Sequence, residues 1–583
     1  MDELFGRTGK VLHIDLTSGK AMAEYPDDAV YDAFIGGRGL AGHYLRPFAD
    51  REYSDPELPL LIFTGPLTGT DSPTSGRGSI VSRSPLTGAV CDGSIGGGLP
   101  TRLKKAGYDG LVITGRGSAP CGIEIDDNDV RVVETSLWGQ DTDAVLHALE
   151  ERLPEDTSLA CIGPAAENGS LLASVAVDHR HGGVRGGLGL IWAAKNLKYL
   201  TVRGTGDVPV RDPDALAQAN EAIVRLTMAS PVLMGRHGFS RWGTPALLDL
   251  MNSRRMLPTD NFQKTYFEHG AKVNASALAA LCEPRDHGCL GCHIHCRKIA
   301  RDGRSLPGFE ALAHFTALIG NDDPETAMAG VDLCGRLGLD PVSAGSVLAC
   351  LREISGKDYS GKTLLSALRE MAEGGDSGQG AAHVAQVCHR PETAMTVKGM
   401  ELPAYDPRGG YGLALAYAVS TRGGCHQRAF PLSHEVLRKP VATDRFSFSG
   451  KARIVKLAED TLAAADSINA CRLIFLAAGL EEYAKALTAV TGKDWSAQSL
   501  LETGERITVN ERCMNSANGF GAADDDLPER FFTEPGTPGG GIKVPPIDRE
   551  AFLQARHNYY VVRGLDKNGA ATPETLQRLG LDG

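Results

Sequence analysis

The hydrophobic period of the chain changes once, near residue 209, and that change limits the available folds more than any other feature. Before it, short apolar runs alternate with Gly, Pro, Asn and Asp: KVLHIDL, PLLIFTG, GLVITGRG, GIEIDDNDVRVVE, LACIG, LASVAVD and LKYLTVRG. Such runs, bounded by turn formers, read as strands. DDND between two alternating stretches reads as a hairpin. After residue 209, RDPDALAQANEAIVRLTMAS offers Asp212 as N-cap and Pro213 at the first helical position, with Leu216, Ala219, Ile223 and Leu226 at helical spacing. NDDPETAMAGVDLCGRLGLD starts a further helix at Asp323 and Pro324 and stops it near Gly338, and PVSAGSVLACLREI follows at once. The helical spacing of KARIVKLAEDTLAAADSINACRLIFLAAG is interrupted near Asp466 and Ser467. The expected class is α+β, with a β-rich domain over residues 1–208 and mostly helical sequence beyond it.

A chain of 583 residues exceeds what one core usually holds, so two or three domains are expected, with room to bury a large cofactor. The N-terminal sequence lacks a basic segment followed by an apolar one, and no run of about 18 apolar residues occurs. The expectation is a soluble, cytoplasmic protein. The net charge of −12 is dispersed, and no Lys/Arg stripe interleaves with aromatics, so neither nucleic acid nor a membrane is an expected partner. Thirteen irregularly spaced cysteines in a chain this long do not resemble the disulfide framework of a small secreted domain.

Cysteine is concentrated in one place, GCLGCHIHCRK at residues 288–298. The Cys-x2-Cys-x3-Cys spacing of Cys289, Cys292 and Cys296 suits three corners of an iron–sulfur cluster whose fourth ligand is remote. Structural zinc completed by His293 or His295, and unligated thiols, fit the same spacing. Among the other cysteines Cys471 stands out, because it follows the interruption of a helical pattern; an inert buried cysteine is the alternative.

The 70 glycines exceed the ordinary share of about 7% and cluster in IGGRGL, TSGRGS, GSIGGG, HGGVRGGLGL, DPRGGYG and TRGGC. Backbone approaching a ligand closely explains such clusters, and phosphate cradles are one form of it. Ordinary tight turns are the other. Glu310 in LPGFEALAHF and His426 in TRGGCHQRAF are isolated titratable groups in apolar or glycine-rich surroundings. Burial tunes such groups toward acid–base work, although a structural role fits as well.

Taken together, GRTGKVLHIDLTSGK, IGGRGL, GPLTGTDSPTSGRGSIVSRSPLTGAV, AGYDGLVITG, CIGPAAENGSLLASVAVDHRHGGVRGGLGLIWAAKNLK, the cysteine triplet and ELPAYDPRGGYGLALAYAVSTRGGCH resemble the tungsten-containing aldehyde:ferredoxin oxidoreductase family over essentially the whole chain. The resemblance implies a β-rich base of two sheets under a tungsten (or molybdenum) bis-pyranopterin. Two helical domains would cover it, at 209–395 with the triplet and Glu310, and at 396–583 with His426 and Cys471. It further implies a [4Fe-4S] cluster on Cys289, Cys292, Cys296 and Cys471, and Mg2+ bridging the pterin phosphates. Arg77 would lie between cluster and pterin. The loops around Ser94 and Gly96, and around Arg180, His181 and Arg185, would face the phosphates, with Asp340 and Asp466 near the pterins. Glu310 and His426 would flank the metal. Gly335, Asn469 and Ala470 depart from the family's pterin-gripping motifs, and AGVD stands where an iron-binding Glu-x-x-His occurs in other members, so no interface iron is expected.

The activity implied is oxidation of a small aldehyde to a carboxylic acid, with water as oxygen source and ferredoxin or an iron–sulfur subunit as electron acceptor. A low-potential aryl-CoA or carboxylic acid reductase of the same family is the alternative. A non-catalytic iron–sulfur or zinc scaffold is a second. A homodimer and a hetero-oligomer are both compatible, and the basic CRKIARDGR stretch offers either a docking surface or a solvated loop.

Overall fold

The computed structural model of the chain describes residues 4–179, 181 and 183–582. Arg180 therefore lies outside the described residues. Six strands, β1 (Val11–Asp15), β2 (Lys20–Glu24), β3 (Leu60–Thr64), β4 (Gly78–Arg83), β5 (Val90–Ile95) and β6 (Gly110–Thr114), form one sheet in the order β2-β1-β6-β3-β4-β5. Within it β1 and β6 run parallel. LLIFT in β3 is buried along its whole length, as a continuous apolar run requires, whereas β2 at the edge is exposed and carries Lys20 and Glu24, charges that blunt an open edge.

Five further strands, β7 (Cys121–Asp126), β8 (Asp129–Glu134), β9 (Ser158–Ile162), β10 (Val175–Val177) and β11 (Leu197–Arg203), form the second sheet in the order β10-β9-β11-β7-β8. DDND makes the β7–β8 turn, with Asp126 opposite Asp129 and Asp127 at φ 48°. Strands β4 and β5 escape an apolar-run reading because Ser79, Ser82 and Asp92 interrupt them, yet all three are buried.

The described helices that shape the site are α1 (Gly37–Leu45), α2 (Thr142–Glu150), α3 (Pro213–Met228), α4 (Phe309–His314), α5 (Pro324–Leu337), α6 (Pro341–Ser355), α7 (Tyr411–Val419), α8 (Lys451–Ile468) and α9 (Ala497–Ala517). Their ends follow local chemistry. Asp212 accepts from the Ala215 amide at the start of α3, Asp323 caps α5, and α5 closes on Gly338 at φ 71°. One buried apolar cluster extends from Val11 to Leu581. No described helix is long and apolar enough to cross a membrane.

Two sequence expectations change here. α8 continues through Asp466 and Ser467 and stops at Asn469, whose φ of 60° is left-handed; Ser467 remains helical by bonding back to the Ala463 carbonyl at 2.7 Å. The glycines of IGGRGL serve chain packing, not a ligand. A Cβ on Gly37 would lie 2.2 Å from the Asp466 carbonyl oxygen and 2.7 Å from Asn469 Oδ1, and its φ is +43°. Gly37→Ala is expected to cost about 2 kcal/mol or more, from overpacking and left-handed strain, read as a fall in Tm; an unchanged Tm would contradict this packing.

Beside that crossing lies a buried charge network. Arg38 grips Glu511 through Nε and Nη2 at 2.7 and 2.8 Å and reaches Asp466 at 3.4 Å. Arg472 binds Asp466 at 2.7 and 2.6 Å and Asp92 at 3.3 Å, and Arg428 pairs with Asp92. Fork-to-carboxylate geometry is what makes buried ion pairs tolerable.

Candidate active site

Where both sheets meet the helices, the chain encloses a cavity of about 840 Å³. It is lined at one end by Cys289, Cys292, Cys296 and Cys471 and elsewhere by Arg77, Ser94, Gly96, His181, Arg185, Glu310, Asp340 and His426. The chain thus brings these sequence-selected residues together. Asp466 is not among the described lining residues and stands behind the wall, held by Arg38 and Arg472.

The cysteine end is built from distant segments. A hairpin of β12 (Arg285–His287) and β13 (Arg297–Ile299) carries the triplet in its loop. Cys471 lies just beyond α8, its amide donating to the Thr74 carbonyl at 3.0 Å. Arg77 from the neighbouring TSGRGS loop points Nη1 at Cys289 Sγ, 3.6 Å away. Burial opposes the charge of Arg77, but Cys289, Cys471 and Cys296 more than offset it, so its pKa is raised.

The thiols respond in turn. Burial pushes the Cys289 thiol up, but Arg77 and the Gly97 amide draw it below its ordinary value overall. Burial, with Cys471 next in weight, pushes Cys292 up to about 11 and Cys296 up to about 12. Burial also raises Cys471. Four half-buried thiols lining one end of a cavity can ionise together only with cations among them.

The spacing of the sulfurs favours a wide group. A tetrahedral zinc with about 2.3 Å Zn–S bonds brings sulfurs to roughly 3.8 Å of one another, and among the described residues no three of these sulfurs lie within 4.8 Å. A polynuclear cluster fits this donor set better than a single ion, and His295 is exposed. The glycines are shaped to the same end. A Cβ on Gly96 would sit 2.6 Å from Cys289 Sγ and 3.1 Å from Arg77 Nη1, and one on Gly76 would sit 2.7 Å from the Leu290 carbonyl oxygen.

Beyond the sulfurs the wall becomes cationic, although the chain is net acidic. Arg77, Arg185, Arg422 and Arg472 all line the cavity. Arg77 donates to Ser94 Oγ and to its carbonyl, both at 2.8 Å. Arg185 binds Asp340 at 3.0 Å and the Glu401 carbonyl at 2.9 Å, while Asp340 also caps α6 through the Val342 and Ser343 amides. Arg422 is 2% exposed, and its Nε and Nη1 have no protein partner. Buried guanidinium N–H groups left open are costly unless a ligand accepts from them, so the wall suits an anionic, acceptor-rich group such as a phosphorylated pterin. His181 stays neutral, its pKa drawn down to about 2 by burial first and then Arg297, with Nδ1 3.9 Å from Cys289 Sγ.

Glu310 and His426 meet on another wall. Glu310, in the first turn of α4, accepts from the Ala404 amide through Oε2 at 2.8 Å and from the Tyr405 hydroxyl. Its Oε1 lies 3.3 Å from His426 Nε2 without hydrogen-bond alignment, and both Oε1 and His426 Nδ1 lack a partner. The Glu310 side chain is 22% accessible. Burial pushes the carboxyl up to about 7, against the Ala404 amide and Arg185. Burial, followed by Arg185 and Arg472, holds the His426 imidazole well below its ordinary pKa. A carboxyl that titrates near neutrality beside a neutral imidazole can exchange a proton with a reactant.

The N-terminal domain of aldehyde ferredoxin oxidoreductase matches residues 11–204, and domains 2 and 3 of the same enzyme match residues 218–581. The chain belongs to the aldehyde ferredoxin oxidoreductase family. It is 32% identical, over 609 residues and 99% of both chains, to the tungsten-containing aldehyde ferredoxin oxidoreductase of Pyrococcus furiosus. It is 31% identical over 607 residues, again 99% of both chains, to that of Thermococcus kodakarensis. An aliphatic sulfonate oxidoreductase, WOR-like subunit, of Pyrococcus furiosus is 27% identical over 99% of this chain and 97% of its own. The fold is also that of the active site complex BamBC of benzoyl coenzyme A reductase, at a TM-score of 0.84 and 19% identity, covering 100% of this chain and 98% of that one.

Against this aldehyde ferredoxin oxidoreductase background, the departures acquire places. A Cβ on Gly335 would meet nothing within 4 Å, so the glycine leaves open space at the cavity edge. Asn469 instead supplies the left-handed residue that ends α8. Sequence reading missed Arg422 and Tyr405. An arginine three residues past the end of a wholly buried helix, α7, is the signal that could have revealed Arg422. Tyr405 has none, because its hydroxyl meets Glu310 only in the fold. Within the basic stretch Lys298 turns inward, 4% exposed and donating to Asp286 and two carbonyls, whereas Arg297 and Arg301 are exposed, Arg301 pairing with Glu283 and Arg304 with Glu325.

Proposed function

We propose that this tungsten oxidoreductase converts an aldehyde and water to a carboxylic acid, two electrons and two protons, the electrons leaving singly to ferredoxin or a similar carrier. The observation that carries the reading is Glu310, raised to about 7 beside neutral His426 in the wall of a cofactor-sized cavity. When bound, the tungsten bis-pterin supplies the two-electron acceptor and a [4Fe-4S] cluster the single-electron exit. Cys289, Cys292, Cys296 and Cys471 would hold the cluster. Arg77, Arg185, Arg422, Asp340 and the loops at Ser94–Gly96 and His181 would hold the pterin side and its Mg2+, with Asp466 supporting from behind. The chain is organised as a base domain to about residue 208, a helical domain to 395 and a second one to 583.

Glu310 takes the proton of the attacking water as the carbon–oxygen bond forms. His426 donates to the carbonyl oxygen as charge develops there, the transition-state interaction that contributes most where bulk water is largely displaced. Tyr405 holds Glu310 and lies 5.3 Å from the His426 ring, and Phe309 and Phe430 lie 5.1 and 5.7 Å from Tyr405. These aromatics favour uncharged apolar or aromatic aldehydes over hydrophilic ones.

The test is metal content of the anaerobically isolated protein with an aldehyde panel. Tungsten, iron near four per chain and kcat/KM for benzaldehyde at least ten-fold above that for glyceraldehyde are expected. Turnover of no aldehyde would overturn the reading. The whole-chain likeness to a benzoyl coenzyme A reductase complex supports a second reading, low-potential reduction of an aryl-CoA ester, and thioester reduction without aldehyde turnover would establish it. Membership of an oxidoreductase family sets the scaffold reading aside.

A further inference from the structure

The rim of the cavity carries a second cluster of metal-binding side chains that the reaction does not use. His147 and Glu150 lie three residues apart on α2 and so share a face of the helix, with Asp143 one turn earlier. His179, from the loop after β10, closes against them. One ligand atom each from His147, Glu150 and His179 lies within 4.8 Å of the others. Glu150 Oε1 is 2.9 Å from His179 Nε2, Glu150 Oε2 is 3.5 Å from His147 Nδ1, and the two imidazole rings tilt at 43° with centroids 4.9 Å apart. We propose that His147, Glu150 and His179 bind a divalent transition-metal ion of the zinc class.

The separations suit the ion. Bonds of about 2.1 Å to nitrogen and oxygen place neighbouring ligands roughly 3.0 Å apart at a right angle and 3.4 Å at the tetrahedral angle, each within about 0.1 Å of the 2.9 and 3.5 Å found. Two imidazoles and a carboxylate are borderline donors preferred by zinc, cobalt and nickel over magnesium or calcium. Asp143 Oδ1 lies 3.5 Å from His179 Nδ1, where it can take the proton of the ring nitrogen that does not face the ion, the carboxylate–histidine–metal arrangement that fixes tautomer and orientation. The fourth position is open to water.

The backbone is arranged for this. Asp178 and His179 both have left-handed φ, 43° and 54°, which is strained for residues other than glycine. Asp178 holds that conformation by accepting from the Gly98 and Leu159 amides at 2.7 and 2.9 Å and from Ser158 Oγ. His179 is thereby aimed at α2. Thr142, Asp143, His179 and His181 all line the cavity, so an ion here fastens the loop that faces Cys289 to a helix of the N-terminal part. The inference does not depend on which substrate the enzyme takes.

Cobalt serves as the probe. Intact enzyme, isolated anaerobically and dialysed against EDTA, is titrated with Co2+ and followed by visible absorption, then challenged with Zn2+. One Co2+ per chain is expected, with d–d bands, no thiolate charge-transfer band, and displacement by Zn2+. His147→Ala and Glu150→Ala change side chains that are 71% and 49% exposed, so the fold should survive, and each should weaken binding at least ten-fold. His383→Ala, at the separate His383–Asp376 pair, should leave binding unchanged. Failure to saturate, a thiolate band, or equal affinity in His147→Ala would overturn the proposal.

Discussion

Glu310→Gln is expected to retain tungsten and iron at wild-type levels and to lose roughly 10²–10⁴-fold in kcat, the usual worth of a positioned acid–base group. Glutamine keeps the shape and the Ala404 contact but cannot take a proton. The pH profile carries the sharper test. A folded-state pKa of about 7 means that the carboxylate base is depleted below neutrality, so kcat/KM should rise with pH through about 7 and then level. That limb should vanish in the residual activity of the glutamine variant. Tyr405→Phe should move it upward, because the Tyr405 hydroxyl lowers the Glu310 pKa. Full activity of Glu310→Gln, or a rising limb that survives it, would remove Glu310 from the proton-transfer role.

The second large effect is on the sulfur end. Gly96→Ala forces a methyl to 2.6 Å from Cys289 Sγ, a separation no relaxed structure tolerates, so either the sulfur or the Ser94–Gly96 loop must move. Loss of most of the iron and its visible absorption is expected, together with partial loss of tungsten, since Arg77 is hydrogen-bonded to Ser94 in that loop. Cys471→Ser should lose iron without that steric shift, and Cys388→Ser, at an exposed thiol outside the cavity lining, should lose none. Unchanged iron in Cys471→Ser would sink it as the fourth ligand.

How much of this could be read from the sequence depends on whether the signal was local. Capping residues such as Asp212 and Asp323 and the β7–β8 turn were legible because their partners are within three residues. The strands β4 and β5 were not, because their buried serines and aspartate are satisfied by segments far along the chain: Ser82 by Pro59, and Asp92 by Arg428 and Arg472. The spacing of the cysteine triplet pointed toward a metal centre with unligated thiols as an alternative, whereas Cys471 as a fourth ligand came from a family resemblance. The open donors of Arg422 and the aromatic wall around His426 emerge only in three dimensions.

The buried network of Arg38, Asp92, Arg428, Asp466, Arg472 and Glu511 also bears on the order of folding. Arg38 and Glu511 are 473 residues apart in sequence, so their contact closes nearly the whole chain into one loop, among the slowest kinds of contact to form. A growing chain released before α9 would leave Arg38 facing Asp466 alone and Arg428 without Glu511, with excess positive charge held away from water. α9 therefore acts as a checkpoint: until it docks, the charges of the wall behind the cavity are not balanced, and the site has no fixed shape for a cofactor to enter.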